Sequence, residues 1–256
     1  MPAKVVEPSI FSPEDYHSYL AERRNLPPER LVVPSNLICV YDGRMFEAVR
    51  KRIHGRHVRW YYEFYERLAA GTLHGFPFAV LHTFMGSSAA AMMLEEMIVS
   101  GARKVIEIGL CGGLVPSLRV GEIVVANRAL VDEGTSSHYY HNAEAFDASE
   151  RLTRRVEQTL KKERTDCRIG AVWTTDAPYR ETPTKLRRFR EKGAVGVNME
   201  TSALFAVAKF RHIDIASLQV VSDMVLESSW KPSFHEKSVA KQSELASRIA
   251  LRALEH

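Results

Sequence analysis

From Ser35 onward short apolar runs alternate with longer helix-like runs, and this alternation restricts the fold more than any other feature. "NLICVY" (36–41), "FAVLHT" (78–83), "KVIEI" (104–108), "GEIVVANRALV" (121–131), "RIGAVWTTD" (168–176), "AVGVNM" (194–199) and "IASLQVVSD" (215–223) read as buried strands. "SSAAAMMLEEMIVSG" (87–101) reads as a helix with Ser87 or Ser88 at its N-cap and Gly101 beyond its end. "SERLTRRVEQTLKK" (149–162) puts Leu152, Val156 and Leu160 on one stripe behind Ser149 as cap. A helix is predicted after each of the last two strands. Strand–helix alternation of this kind builds a largely parallel sheet covered by helices on both faces, an α/β fold. Ligands of such sheets bind at the carboxyl ends of the strands, so strand-to-helix corners are where chemistry is expected.

Residues 1–34 carry Pro2, Pro8, Pro13, Pro27 and Pro28 with little periodicity, and read as an N-terminal extension with one short helix around Glu14–Arg24. Residues 35–256 show no linker or repeat and read as one domain. No apolar run approaches the roughly 20 residues that span a bilayer, and "MPAKVVEPSIFSPEDY" has no apolar h-region, so neither membrane nor secretion is expected. Cys39, Cys111 and Cys167 are scattered and odd in number, which suits reduced thiols in a cytoplasmic protein. The net charge of +4 is too small to imply a nucleic-acid partner. "RKRIHGRHVRW" (50–60), flanked by Glu47, Glu63 and Glu66, reads as a solvated face. "HYYH" (138–141) spaces two histidines three apart, but no acid or cysteine completes a metal site. Neither a metal nor an organic cofactor is expected. Met92, Met93 and Met97 read as core.

Four corners stand out. In "TFMGSS" (83–88), Gly86 precedes a helix whose free N–H groups favour an anion or a hydroxyl, although a plain turn and cap also accounts for it. "KVIEIGLCGGL" (104–114) reads as a strand entering a glycine turn, without the G-x-G-x-x-G spacing of a dinucleotide site. Glu107 places a carboxylate at the mouth of that turn. In "GVNMETSALFAVA" (196–208), Glu200 stands at a helix start, where the dipole is expected to keep it ionised. A carboxylate there suits the vicinal hydroxyls of a sugar; an ordinary first-turn acid is the plainer reading. In "VVSDMV" (220–225), Asp223 follows an apolar strand, where desolvation would raise its pKa and let it act as general acid toward a ring nitrogen, unless it merely caps the next segment.

The order of "GLCGGLVPSLRVGEIVVAN", "EGTSSHY", "TTDAPYRET", "GVNMETSAL" and "VVSD" resembles that of the nucleoside phosphorylase superfamily, which includes purine nucleoside phosphorylases, uridine phosphorylases and methylthioadenosine nucleosidases. The resemblance covers about residues 35–250. It implies a three-layer α/β/α sandwich with a distorted, largely parallel central sheet, homo-oligomers built from dimers, and cleavage of the N-glycosidic bond of a small-molecule nucleoside. It implies catalytic roles for Glu200, which would hold the 2′- and 3′-hydroxyls, and for Asp223, which would protonate a purine N7. It places Met85, Gly86, Cys111, Gly112, Ser137, His138, Tyr179, Asn198, Met199 and Ser222 around the substrate.

Departures from the family pattern fall where the nucleophile sits. Phosphorolytic members resemble this chain but carry an arginine where Glu107 stands and a serine or threonine where Leu110 stands. A carboxylate in contact with a phosphate charge costs on the order of 4 kcal/mol even at an effective dielectric near 20. Arg44 in "CVYDGRMF" is a candidate substitute cation, and Asp42 is the candidate base if water replaces phosphate. Pro178 occupies a position often aromatic in the family, leaving Tyr179 or Trp173 to stack on the base. Three readings follow: a phosphorylase using phosphate as co-substrate, a hydrolytic nucleosidase favoured by Glu107 and Leu110, and a nucleoside-binding protein without turnover.

Overall fold

The computed structural model describes residues 3–5, 7–23, 25, 32–58 and 67–255. Its strands are β1 (Ala3–Lys4), β2 (Asn36–Val40), β3 (Arg56–His57), β4 (Leu68–Leu73), β5 (Phe76–His82), β6 (Lys104–Gly113), β7 (Ile123–Asp132), β8 (Tyr140–His141), β9 (Ala145–Asp147), β10 (Cys167–Thr175), β11 (Ala194–Asn198), β12 (Asp214–Leu226) and β13 (Ser229–Pro232). Its helices are α1 (Pro13–Arg23), α2 (Gly43–Arg52), α3 (Ser87–Val99), α4 (Glu150–Lys162), α5 (Pro183–Glu191), α6 (Thr201–Arg211) and α7 (Lys237–Leu254).

The large sheet consists of two parallel blocks. Strands β5, β2, β6 and β12 run together in one, and β7, β10 and β11 in the other. Antiparallel pairings of β12 with β7 and of β11 with β6 join the blocks into a closed ring, the distortion expected of the fold. Side chains alternate across the sheet with the two-residue period of a strand. Leu37, Cys39 and Val105 point to a core shared with α1, α3 and α6. Ile38, Val40, Ile106 and Ile108 point to a core shared with α2, α4 and α7. Helices therefore cover both faces, giving the three-layer sandwich. Leu20 and Ala21 of α1 join the first core, and β1 pairs with β8, so α1 and β1 pack on the main body.

Leu152, Val156 and Leu160 are buried along α4 as the stripe requires. Other sequence expectations change in detail. Ser149 holds the cap position of α4, but its hydroxyl accepts the Ile215 N–H instead of capping the helix. The N-cap of α3 is Gly86 rather than either serine, because the chain enters with φ of +98°, open to glycine and strained for other residues. Met93 and Met97 are core, whereas Met92 is 43 % exposed. After β12 the chain makes the hairpin strand β13 before α7. The basic stretch splits between α2 and β3, with Arg50 paired to Glu47 and Arg52 to Glu244; Arg59, Trp60, Glu63 and Glu66 lie outside the described residues.

The largest correction is to "GLCGGL". These residues form no turn: β6 continues straight through them to Gly113. The glycines are needed for close approach between strands. A Cβ on Gly109 would come within 2.7 Å of Gln219 Oε1, and one on Gly112 within 2.8 Å of Val225 and 3.2 Å of Asp223 Oδ2.

Candidate active site

The carboxyl ends of β2, β6, β11 and β12, with the turn at 178–180 and β13, enclose a cavity of about 650 Å³. That volume falls within the range of small-molecule sites. Glu200 and Asp223 both line it.

Asp223 reaches the cavity through a bulge. Val221 pairs with Cys111 and Asp223 with Gly112, so Ser222 is an extra residue that re-aims the strand end. Ser222 Oγ donates to Asp223 Oδ1 at 2.7 Å, and the indole N–H of Trp230 donates to Oδ2 at 2.8 Å. The hairpin strand β13 thus brings an aromatic wall to the carboxylate and also fixes its direction.

Glu200 is the N-cap residue of α6 but does not cap it with its side chain. Its Oε1 accepts the Gly86 N–H at 2.8 Å, and Oε2 the Met199 N–H at 3.2 Å. The α3 N-terminus does hold an anion, and that anion is the protein's own carboxylate. Ser87 Oγ locks the same corner by donating to the Met199 carbonyl at 2.7 Å. The dipole does not keep Glu200 fully ionised, contrary to expectation. Burial, with a contribution from the nearby Glu107 charge, outweighs the two N–H bonds and raises its pKa to about 7.

Asp42, Met85, Leu110, Cys111, Gly112, Tyr179, Asn198, Met199 and Ser222 also line the cavity. Asp42 is however committed to α2, where Oδ1 accepts the Arg44 and Met45 N–H groups and both oxygens meet the Arg44 guanidinium. Burial opposes this, but the hydrogen bonds win and hold its carboxyl below the usual range, which makes it a poor base. Arg44 itself points to a separate small hollow beside Ala240, Ser243 and Glu244 and does not line the main cavity. Cys111 is a buried small residue, its thiol pKa pushed up by burial and then by Asp223. Tyr179 is 99 % exposed at the rim, whereas Trp173 is buried against Phe189, their ring planes 10° apart and centroids at 4.6 Å, and cannot reach a base.

Besides Arg44, four expected site residues lie off the cavity wall. Gly86 acts through its N–H on Glu200. Ser137 and His138 sit on an exposed turn after β7, where Ser137 Oγ donates to the Gly134 carbonyl at 2.6 Å. Glu107 is the fourth and the most changed. It is 0 % exposed and faces into the molecule, its Oε1 accepting the Tyr41 hydroxyl at 2.9 Å and its Oε2 the Thr201 hydroxyl at 2.8 Å. No ligand in the cavity would touch it directly, so the contact repulsion expected of it does not operate. Thr201 in turn accepts the Asn198 amide, whose oxygen accepts Thr174 Oγ1 at 3.0 Å. A buried polar chain therefore runs beneath the floor of the site.

Sequence reading passed over Tyr41, Met45, Glu181, Val197, Val225, Trp230 and Phe234, all of which line the cavity. Glu181 is the consequential one. Burial and the neighbouring Asp223 charge raise its pKa to about 7, against the pull of Lys185. Four carboxylates line the wall, Asp42, Glu181, Glu200 and Asp223, and no lysine or arginine does among the described residues.

Comparison with known proteins agrees with this architecture. An uncharacterized protein, R802, of Acanthamoeba polyphaga mimivirus is 32% identical over 150 residues, 58% of this chain and 57% of that protein's length. A DeoD-type purine nucleoside phosphorylase of Caldanaerobacter subterraneus subsp. tengcongensis is 27% identical over 175 residues, covering 67% of this chain and 75% of its own. The fold superposes on a Toxoplasma gondii purine nucleoside phosphorylase in complex with immucillin-H, with a TM-score of 0.79 at 21% identity over 88% of this chain and 91% of that one. It superposes also on an AMP nucleosidase from Bacteroides thetaiotaomicron, with a TM-score of 0.72 at 20% identity over 96% of this chain and 97% of that one. The family model described as the phosphorylase superfamily matches residues 61–255, and the chain belongs to that superfamily.

Proposed function

We propose that the protein is an enzyme that cleaves the N-glycosidic bond of purine-type nucleosides, with water as the acceptor. The observation that carries this reading is a nucleoside-sized cavity with two carboxylates in complementary places and no cation on its described wall. Glu200, anchored by two backbone N–H groups, has lone pairs left for the 2′- and 3′-hydroxyls of a sugar beside Met85 and Met199. Asp223, held by Ser222 and Trp230, faces the aromatic end of the cavity, where a purine N7 would meet it. Asp223 would stabilise the departing base by a proton or hydrogen bond, and Glu200 the positive charge that develops on the sugar ring. Such preplaced charge is usually the largest single contribution to catalysis.

Water rather than phosphate is favoured by Leu110 on the cavity wall, by Arg44 pairing with Asp42 outside it, and by the carboxylate-rich lining. A phosphate dianion would enter a field of its own sign. Phosphorolysis is the second reading, favoured by relatives whose names are purine nucleoside phosphorylase. Incubating the full-length protein with inosine, adenosine, guanosine and uridine, with and without phosphate, separates the two. The proposal expects free purine and free ribose without phosphate; release only with phosphate, as ribose 1-phosphate, would replace it by the second reading. Binding without release would leave a nucleoside-binding protein.

A further inference from the structure

Glu107 is a fully buried carboxylate, one of whose direct side-chain partners borders the cavity. Its side-chain partners are Ser217 and Gln219 of β12, Thr201 of α6, and Tyr41 at the end of β2. Of these four only Tyr41 lines the cavity. The phenol hydrogen is used on Glu107 Oε1, so the phenol oxygen is left to accept a hydrogen bond from a water standing in the cavity. The other wall carboxylates are otherwise engaged. Asp42 caps α2 and is closed off by Arg44, Glu200 is anchored to Gly86 and Met199, and Glu181 lies beside Asp223 at the opposite end.

We propose that Glu107 is the general base of the hydrolytic reaction, reached through the Tyr41 hydroxyl as a proton relay to the acceptor water. This rests on the hydrolytic reading above. As the water oxygen bonds to C1′, its proton passes to Tyr41 Oη while the phenol proton passes to Glu107 Oε1. The C1′–N bond breaks with its electron pair on the purine, which takes a proton at N7 from the carboxyl of Asp223, and Asp223 recovers a proton from solvent once the products leave. After the products leave, Glu107 returns the proton through Tyr41 to solvent. Neither side chain changes covalently, and no further reactant is needed.

The electrostatics suit the assignment. Burial raises the Glu107 carboxyl above the usual carboxylate range, against the four hydrogen bonds that lower it, so it is a stronger base than a solvated carboxylate. Burial and then the Glu107 charge hold the Tyr41 phenol well above the usual tyrosine range, so the relay passes a proton without resting as tyrosinate. The titratable groups facing Glu107 are Cys39 of β2, Tyr41 just after that strand and Glu200 at the start of α6; β12 contributes only the neutral Ser217 and Gln219.

The test uses Tyr41→Phe, Glu107→Gln and the double variant of the full chain. Base release from inosine, adenosine and guanosine without phosphate is followed from pH 5 to 9. Tyr41→Phe keeps the ring and removes only the relay atom. It is expected to lower kcat by about 100-fold or more, with KM within about threefold and the solvent deuterium isotope effect on kcat diminished. The double variant is expected to be no slower than the slower single one, because both remove one device. Should Glu107→Gln not fold, the fall in kcat and in its isotope effect in Tyr41→Phe decides alone. If the wild type releases base without phosphate and Tyr41→Phe keeps either its kcat within threefold or its isotope effect, the relay is overturned while hydrolysis stands. If the wild type releases none, both are overturned.

Discussion

The Gly86 N–H donates to Glu200 Oε1 at 2.8 Å, tying the start of α3 to the start of α6 across 114 residues of sequence. Two helix N-termini thus converge on one carboxylate that is buried, borders the cavity and has a pKa of about 7. A sugar diol donates to the ionised form, so nucleoside binding is expected to tighten as pH rises through 7. In the Glu200→Gln variant that dependence should weaken to the part set by Glu181, and KM should rise about tenfold or more, the worth of a charge-assisted hydrogen bond. KM measured from pH 6 to 8 for both proteins checks this; parallel curves would remove Glu200 from the sugar.

Asp223→Asn keeps the size of the side chain but turns an amide toward one of two donors, Ser222 Oγ or Trp230 Nε1. The expected loss is about 10²- to 10⁴-fold in kcat on purine nucleosides, with an unchanged circular dichroism spectrum. Trp230→Phe retains the aromatic wall and deletes only the bond to Oδ2, so it should reproduce a part of the loss in kcat with little change in KM. Equal losses in KM would instead make Trp230 a packing residue.

What the sequence disclosed and what it hid divide along a physical line. Alternation of apolar runs is a local property, and it located the helix-covered sheet, the corner at Glu200 and the strand that carries Asp223, although that strand runs on through Asp223 to Leu226 and forms no corner there. Hidden features depend on what stands across the sheet. Gly109 and Gly112 look like turn residues until Gln219, Val225 and Asp223 are placed opposite them. Glu107 looks like a ligand-facing charge until Tyr41, Thr201 and β12 close around it. Trp230 joins the site only because β12 folds back on itself through β13. Glu181 gave no local signal beyond being acidic, since its importance comes from the Asp223 charge nearby and from burial.

Glu181 should set a pH-dependent preference among purines. Its pKa of about 7 means that it accepts hydrogen bonds when ionised and donates one when protonated. Guanine and hypoxanthine offer an N1–H donor, whereas adenine offers an N1 acceptor. The ratio of kcat/KM for guanosine over adenosine is therefore expected to rise as pH passes 7 in the wild type and to stay flat in Glu181→Gln. A ratio that climbs equally in both proteins would assign the preference to another group.

Far from the cavity, Glu96 on α3 is 4 % exposed, and its Oε2 has no hydrogen-bond partner among the described residues. Burial raises its pKa from 4.5 to about 8. Between those two pH values the native state holds a proton that the unfolded chain has lost, so this residue makes stability fall as pH rises across the window, and the full cost is reached above pH 8. Glu181, Glu200 and Glu107 act in the same direction, so the wild-type slope alone does not isolate it. The comparison with Glu96→Gln does, because the amide has nothing to ionise. The variant is expected to match the wild type near pH 5 and to melt at a progressively higher temperature than it from pH 6 to 8.5, with no change in nucleoside KM. Thermal melts at matched ionic strength measure the gap, and a gap that stays constant over that range would mean that Glu96 does not carry the buried proton.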